Sequence, residues 1–155
     1  MNIIESQRII LKPIVLEDAE SFLELEKDQE VMQYIKRPTA KTLEEARASI
    51  EKMLQFAIEN PKLGNWMIIE KTTGAKIGTL VFRHFFDTTD LELGYRLAKS
   101  HWGKGLMVEI GKEFMKYAQG NFNNRKIVAV TDPANSGSQK VLTKIGFKAM
   151  PDITK

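Results

Sequence analysis

The chain has 155 residues, a length that fits one domain with its own hydrophobic core. It contains no cysteine, which excludes disulfides, cysteine nucleophiles and zinc–thiolate sites. The net charge of +3 arises from 23 basic and 20 acidic residues that are interspersed, a pattern that does not favour nucleic acid binding. No apolar run approaches the roughly 20 residues of a membrane span, and no secretion signal is recognisable, so we expect a soluble cytoplasmic protein.

The first third of the chain predicts one strand and then two or three helices. Residues 8–13 form a short apolar strand that a proline closes. Apolar side chains recur at helical spacing over residues 16–27, and residues 30–36 form a second short helix. Thr42 is the expected N-cap of the third helix, because Glu45 follows three residues later as in a capping box.

A three-stranded antiparallel meander follows. Residues 65–71 and 76–86 read as two strands joined by the turn-like segment 72–75, which predicts a hairpin. A polar turn leads to a third strand over residues 91–98, in which side chains alternate between two faces. One face carries Leu91, Leu93, Tyr95 and Leu97, and the other carries Glu92, Gly94 and Arg96.

The last third predicts a helix over residues 106–120, a strand over 125–130 and a helix over 136–145. The strand is expected to be central, because its nearly continuous apolar run suits burial on both faces. Residues 147–150 form the last short strand. These elements predict an α/β (α+β) fold for residues 1–155 as a single domain. Its sheet is mixed and mostly antiparallel, has about six strands and carries helices on both faces.

Gly103 and Gly105 lie in the loop that joins the meander to the next helix. Glycines allow close approach of the backbone to a ligand, and the first N–H groups of a helix favour negative charge. The segment therefore predicts an anion site suited to a pyrophosphate. The alternative is that the two glycines only make a tight connection. The sequence G-x-x-x-x-G-K-[ST] is absent, so this is not a Walker loop.

Asn135 and Ser138 follow the apolar strand 125–130. Ligands of open α/β sheets lie beyond the carboxyl ends of parallel strands, so these side chains are candidates to hydrogen-bond an extended ligand. The alternative is that Asn135 or Ser136 simply caps the following helix.

Five short motifs occur in one order along nearly the whole chain. Arg-x-x-Leu-x-Pro followed by Leu-x-Asp-Ala spans residues 8–19, and Glu-x-Gly-Tyr spans 92–95. Trp-Gly-x-Gly spans 102–105, and Asn-x-x-Ser-x-x-x-Leu-x-Lys-x-Gly-Phe spans 135–147. Together they resemble the Gcn5-related N-acetyltransferase (GNAT) superfamily, and most closely its branch of ribosomal-protein N-terminal acetyltransferases.

The resemblance implies that acetyl-CoA is the co-substrate and that no metal is used. The family's pyrophosphate loop falls on residues 102–107, whose backbone N–H groups would hold the phosphates. The strand around Tyr95 would pair through its backbone with the pantetheine arm, and Asn135 would bind a pantetheine amide. The expected cofactor-binding residues are Tyr95, Arg96, Leu97, Trp102, Gly103, Lys104, Gly105, Leu106, Met107, Asn135 and Ser138.

Within this resemblance two side chains are candidates for the chemistry. Glu92 would take the proton of the attacking amine, directly or through water, and Ser138 would donate a proton to the leaving thiolate. Glu92 has two alternatives, an exposed strand residue or an anchor for the substrate amine, and Ser138 has the alternative of an ordinary first-turn helix residue. His84 and His101 are alternative bases, because the ordinary pKa of histidine is about 6.5.

Three features depart from the family pattern. Trp102 stands where many members have Gln or Arg, although tryptophan is common in this branch. Met107 stands where Gly or Ala is usual, so its side chain either narrows the loop or turns into the core. Only residues 147–155 follow the last helix, and Pro151 interrupts them. The last strand is therefore expected to be short, missing or supplied by another subunit, which allows a homodimer.

The sequence therefore favours an N-acetyltransferase that moves acetyl to a primary amine, on a protein N-terminus or a small molecule. The alternative is a CoA-binding regulatory module with little or no catalysis, which Met107 and the short C-terminal segment would suit. Nucleic acid and membrane partners are not expected, because the basic charge is scattered and no aromatic–basic patch is present.

Overall fold

The computed structural model describes residues 2–150, in which six strands form one sheet. The strands lie in chain order, and neighbours are antiparallel except β5 and β6, which are parallel. The predicted mixed, mostly antiparallel sheet is therefore confirmed. The strands are β1 (Ile4–Glu5), β2 (Ile9–Pro13), β3 (Gly64–Glu70), β4 (Lys76–His84), β5 (Leu91–Leu97) and β6 (Ile127–Val128).

Five α-helices accompany the sheet in the described part of the chain. The predicted cap of the third helix is confirmed, because Thr42 Oγ1 accepts the backbone N–H of Glu45 at 3.1 Å. Between residues 2 and 150, none of the helices is both long enough and apolar enough to cross a membrane. The helices are α1 (Ala19–Lys27), α2 (Gln29–Met32), α3 (Leu43–Glu59), α4 (Leu106–Asn121) and α5 (Ser136–Ile145).

Each face of the sheet has its own hydrophobic core. On one face α4 packs against the strands, with Phe114 in edge-to-face contact with Trp66 and Phe82 at centroid distances of 5.1 and 5.2 Å. On the other face Phe22 of α1 and Ile50 of α3 pack on the sheet. The prediction of helices on both faces is confirmed.

Two strand predictions are wrong. Within residues 125–130 only Ile127 and Val128 form a strand, which is half-buried and lies at the end of the strand order rather than in its centre. Residues 147–150 form no strand, because the two-residue β6 offers little backbone for a further partner. The sheet still has six strands, because the short strand β1, which the sequence did not predict, pairs with β2. The predicted interruption at Pro151 lies outside the described residues.

The strands β5 and β6 pair at only two positions and then separate. Leu91 pairs with Ile127 and Glu92 with Val128, whereas β5 continues to Leu97 with β4 as its partner. The second half of β5 therefore presents one backbone edge to the gap. This gap positions the candidate site.

Candidate active site

A cleft of about 480 Å³ opens where β5 and β6 separate. One wall is the second half of β5, and the opposite wall is α5 with the two residues before it. One end is closed by the loop that precedes α4 and by the first turn of that helix. Residues 30–35, which include the end of α2, form the remaining side.

The backbone of β5 turns hydrogen-bonding groups towards this cleft. The N–H of Leu91 donates to the carbonyl of Lys126 at 2.8 Å, on the β6 side. Because backbone groups alternate along a strand, those of Tyr95 and Leu97 point the same way, into the gap. The indole N–H of Trp102 donates to the Leu97 carbonyl at 2.7 Å and so fixes the end of the strand to the loop.

The loop before α4 is held in a conformation that requires glycine. Gly103 has φ 75° and Gly105 has φ 74°, both in the left-handed region that favours glycine. Gly105 immediately precedes the first turn of α4, whose leading N–H groups have no partner within the helix. The loop and helix together form a site with positive potential at the end of the cleft.

Arg8 and Glu109, which do not line the cleft, hold this loop in place through hydrogen bonds. The Arg8 guanidinium donates to the Lys104 carbonyl at 3.1 Å and to the Glu109 carboxylate at 2.7 Å. Glu109 also accepts the backbone N–H of Arg8 and the Ser6 hydroxyl. Partial burial alone would raise the pKa of Glu109, but these hydrogen bonds and the Arg8 charge lower it. The carboxylate therefore stays charged and paired beside the loop.

Ser138 is held from two sides at the wall of the cleft. Its backbone N–H donates to Asn135 Oδ1 at 3.1 Å, which makes Asn135 the N-cap of α5. Its side-chain oxygen accepts the Tyr95 hydroxyl at 3.1 Å. Burial raises the pKa of Tyr95, and the hydrogen bond to Ser138 offsets only part of this effect. The tyrosine is therefore protonated at neutral pH.

Beneath the cleft, Arg96 belongs to a buried ionic cluster. Its guanidinium contacts the Glu26 carboxylate and donates to Thr79 Oγ1 at 2.9 Å. Glu26 also accepts two hydrogen bonds from Arg37, each 3.0 Å long, and the N–H of Ala40 at 2.9 Å. Burial alone would raise the pKa of Glu26, but the hydrogen bonds from Arg37, Ala40 and Arg96 lower it to about 2. The cluster ties β5 to α1 and to the segment after α2.

Residues 34–36 reach across the cleft to the loop between β6 and α5. The Tyr34 hydroxyl donates to the Ala134 carbonyl at 3.2 Å, and Lys36 lies 3.3 Å from the Asp132 carboxylate. Lys140 and Lys144 of α5 add positive charge to the lining.

A known protein family matches this chain over most of its length. Residues 8–148 match the profile of the family described as "Acetyltransferase (GNAT) domain". The chain belongs to the GNAT family. Transfer of an acetyl group from acetyl-CoA is the activity that this family implies.

Individual GNAT proteins support this membership. The chain is 29% identical to the uncharacterized N-acetyltransferase p20 of Bacillus licheniformis over 96% of this chain and 83% of that protein. A crystal structure of a GNAT-family acetyltransferase from Bacillus anthracis has a TM-score of 0.77 at 25% identity, over 95% of this chain and 84% of that one. A ribosomal L7/L12 alpha-N-protein acetyltransferase in complex with coenzyme A shares the fold. Its TM-score is 0.81 at 18% identity, over 94% of this chain and 84% of that one.

Most residues that the GNAT resemblance singled out meet in the cleft. Two do not line it. The Lys104 side chain is exposed, and Glu92 lies near the last β5–β6 pair, where its carboxylate accepts the Arg83 guanidinium at 3.0 Å. The residues that line the cleft together are Tyr95, Arg96, Leu97, Trp102, Gly103, Gly105, Leu106, Met107, Asn135 and Ser138.

The structure shows where Met107, Asn135 and the two histidines lie, for which the sequence left alternatives. Met107 is 4% exposed and packs in the core, so its side chain forms part of the cleft floor instead of filling the loop. Asn135 caps α5, as one of the alternatives held. His101 lines the cleft, with its ring 3.3 Å from Glu70, whereas His84 contacts Asn60 at 2.9 Å outside it.

Sequence reasoning missed the residues that reach the cleft from distant parts of the chain. Tyr34 stands in a segment that predicted only a short helix, and nothing in its local sequence marks it. The buried pair of Glu26 and Arg96 is separated by 70 positions. Lys140 and Lys144 carried one signal, because their spacing of four residues places both on one face of α5.

Proposed function

We propose that this GNAT protein transfers the acetyl group of acetyl-CoA to a primary amine, on a protein N-terminus or a small molecule. The separation of β5 from β6 is the observation that carries the proposal. It leaves a strand edge along one wall of the cleft and a glycine-rich helix start at its end. An extended ligand with amide groups at one end and phosphates at the other is complementary to such a cleft.

The residues present fit acetyl-CoA. The C=O of Tyr95 and the N–H of Leu97 face the cleft and are oriented to pair with the amides of the pantetheine arm, which leaves the N–H of Tyr95 for the thioester carbonyl. The loop at Gly103 and Gly105 allows a pyrophosphate to approach the leading N–H groups of α4. Lys140 and Lys144 supply cationic side chains for the phosphates. We therefore assign the cofactor site to the predicted cofactor-binding residues that line the cleft and to the backbone N–H of Lys104.

Acetyl-CoA supplies a thioester whose carbonyl carbon is the electrophile. Glu92 accepts a proton from the amine through water, since its carboxylate lies outside the cleft lining. The backbone N–H of Tyr95 stabilises the negative charge that develops on the carbonyl oxygen. As the C–N bond forms and the C–S bond breaks, Ser138 donates a proton to the sulfur. No covalent acetyl-enzyme is required.

Binding and turnover test separate parts of the proposal. Acetyl-CoA at millimolar concentration should raise the melting temperature, whereas ATP and NAD should not. Release of free thiol across a panel of small amines and peptide N-termini then distinguishes an enzyme from a CoA-binding module. The absence of any melting shift with acetyl-CoA would contradict both hypotheses, the enzyme and the CoA-binding module.

The roles of Glu92 and Ser138 need their own variants. Glu92→Gln should lower kcat at neutral pH with little change in acetyl-CoA binding, and Ser138→Ala should lower kcat by about a hundredfold. Glu113→Gln is a matched control, because Glu113 lies on α4 outside the cleft lining and pairs with Lys116. Unchanged turnover in both site variants would refute these roles while leaving the proposed function standing.

A further inference from the structure

The hydroxyl proton of Ser138 has unusual surroundings for a serine in a helix. Such a proton ordinarily donates to the carbonyl four residues earlier. Here that carbonyl belongs to Ala134, and it already accepts the N–H of Ser136 at 3.1 Å and the Tyr34 hydroxyl at 3.2 Å. A carbonyl oxygen has two lone pairs, so its capacity as an acceptor is used.

The carbonyl three residues earlier is engaged as well. Asn135 C=O accepts the N–H of Gln139 at 3.2 Å, and the Asn135 side-chain oxygen accepts the Ser138 N–H. Asn135 C=O keeps its second lone pair, but the Ala134 carbonyl, which is the usual acceptor for a serine proton at this helical position, is fully occupied. The groups that contact the side-chain oxygen of Ser138 therefore determine the direction in which its proton points.

Tyr95 is the group that contacts this oxygen. It stands on β5, on the opposite wall of the cleft, and its hydroxyl donates to Ser138 Oγ at 3.1 Å. This hydrogen bond occupies one lone pair of the serine oxygen. The serine proton then points away from Tyr95, into the open cleft. Burial keeps the tyrosine protonated, so it continues to act as the donor in neutral solution.

We propose that Tyr95 is a positioning residue for the reaction, which orients the Ser138 hydroxyl so that its proton points at the leaving sulfur. The inference rests on the proposed function, because it assigns Tyr95 a part in the proton transfer to the thiolate. When the C–S bond breaks, the electron pair remains on sulfur and the Ser138 proton moves to it. A proton from water in the open cleft then restores the serine hydroxyl. Tyr34 contributes by occupying the competing acceptor at Ala134.

The alternative is that Tyr95 only fills space between β5 and α5. A packing role would lower activity whether or not Ser138 has a hydroxyl, whereas a positioning role requires that hydroxyl. A double-mutant cycle between Tyr95→Phe and Ser138→Ala separates the two, since phenylalanine keeps the ring and removes only the donor.

The chain's three tyrosines supply a matched series. Tyr117 is the control, because its hydroxyl donates to the Lys62 carbonyl at 2.8 Å and it does not line the cleft. Tyr95→Phe should lower kcat by about tenfold, the effect of losing one orienting hydrogen bond, with the KM for acetyl-CoA unchanged. Tyr117→Phe should leave both constants at their wild-type values.

In the Ser138→Ala background, Tyr95→Phe should cause no further loss of kcat. Equal losses in both backgrounds, or wild-type kcat for Tyr95→Phe, would overturn the proposal. A cooperative melting transition shows that the variant is folded, and its shift with acetyl-CoA shows that the cofactor site is intact. Should Tyr95→Phe not fold, Tyr34→Phe serves instead, with a smaller loss of kcat that also disappears in Ser138→Ala. Wild-type protein that releases no thiol with any amine would refute the proposed function itself, and this inference with it.

Discussion

Glu26 shows how one buried charge can be stabilised. Its side chain has no exposed surface, and it accepts hydrogen bonds from two arginines and one backbone amide. Arg96 is itself buried, with 7% of its side chain exposed, and also lies over the Phe22 ring at 4.7 Å. Each charge therefore depends on the other, because a buried charge without a partner is very costly.

Glu26→Gln should lower the free energy of unfolding by about 3–5 kcal/mol, because the amide cannot neutralise the buried Arg96. Urea denaturation followed by circular dichroism measures the loss. Glu113→Gln is the control, since its pair with Lys116 is exposed and worth less than about 1 kcal/mol. A loss below 1 kcal/mol for Glu26→Gln would show that the cluster is not a major source of stability.

At the scale of elements, the sequence predicted what depends on near neighbours. The cap at Thr42 is a contact between residues three positions apart, and the alternation along β5 follows from strand geometry. The failure at residues 125–130 has a different origin. A run of apolar residues indicates burial, but the number of paired residues is decided by a partner elsewhere in the chain. The two-residue β1 is too short to produce any pattern.

Gly105 and Gly74 share a backbone conformation but differ in location, with φ 74° and 73°. Either glycine replaced by alanine should cost about 1–2 kcal/mol of stability, because alanine is strained in the left-handed region. Only Gly105→Ala should also weaken acetyl-CoA binding, by about tenfold, since it rebuilds the loop before α4. Calorimetric titration measures the affinity, and equal effects of the two variants on it would contradict the assigned loop.

The close contact of β4 with β5 gives a second prediction at this scale. A Cβ added to Gly78 would stand 2.2 Å from the Arg96 carbonyl oxygen, so Gly78→Ala must push the strands apart. We expect a loss of about 1–3 kcal/mol of stability. Gly120→Ala is the control in α4, where nothing lies within 4 Å, and it should stabilise by about 0.5 kcal/mol. Thermal denaturation of both variants gives the comparison, and a neutral Gly78→Ala would mean that the strands adjust without cost.

At the scale of the whole molecule, the candidate site was only partly predictable. The loop at Gly103 and the segment from Asn135 to Ser138 carry local motifs, and they were recognised. The side formed by residues 30–35 and the Tyr95–Ser138 contact join positions that are far apart in sequence. Such contacts form only when folding brings distant elements together, so no local sequence pattern could predict them.

Acid stability is a property of the whole molecule that follows from its paired carboxylates. The pKa of Glu26 is lowered from 4.5 to about 2, because hydrogen bonds outweigh the effect of burial. The pKa of Glu109 is also lowered, although partial burial opposes this, and the Thr73 and His101 hydrogen bonds lower that of Glu70. In each case the folded state binds its proton less readily than the unfolded state.

The free energy of unfolding should therefore be nearly constant between about pH 6 and 9 and fall as the pH decreases from about 4.5 towards 2. Glu26 alone accounts for on the order of 3 kcal/mol of this loss, as expected for a pKa lowered from 4.5 to about 2. Urea denaturation of wild type and Glu26→Gln at a series of pH values tests it. The variant is less stable at neutral pH, but it should lose less of its remaining stability in acid, because it has one fewer carboxylate to protonate. Parallel curves for the two proteins would mean that Glu26 titrates alike in the folded and unfolded states.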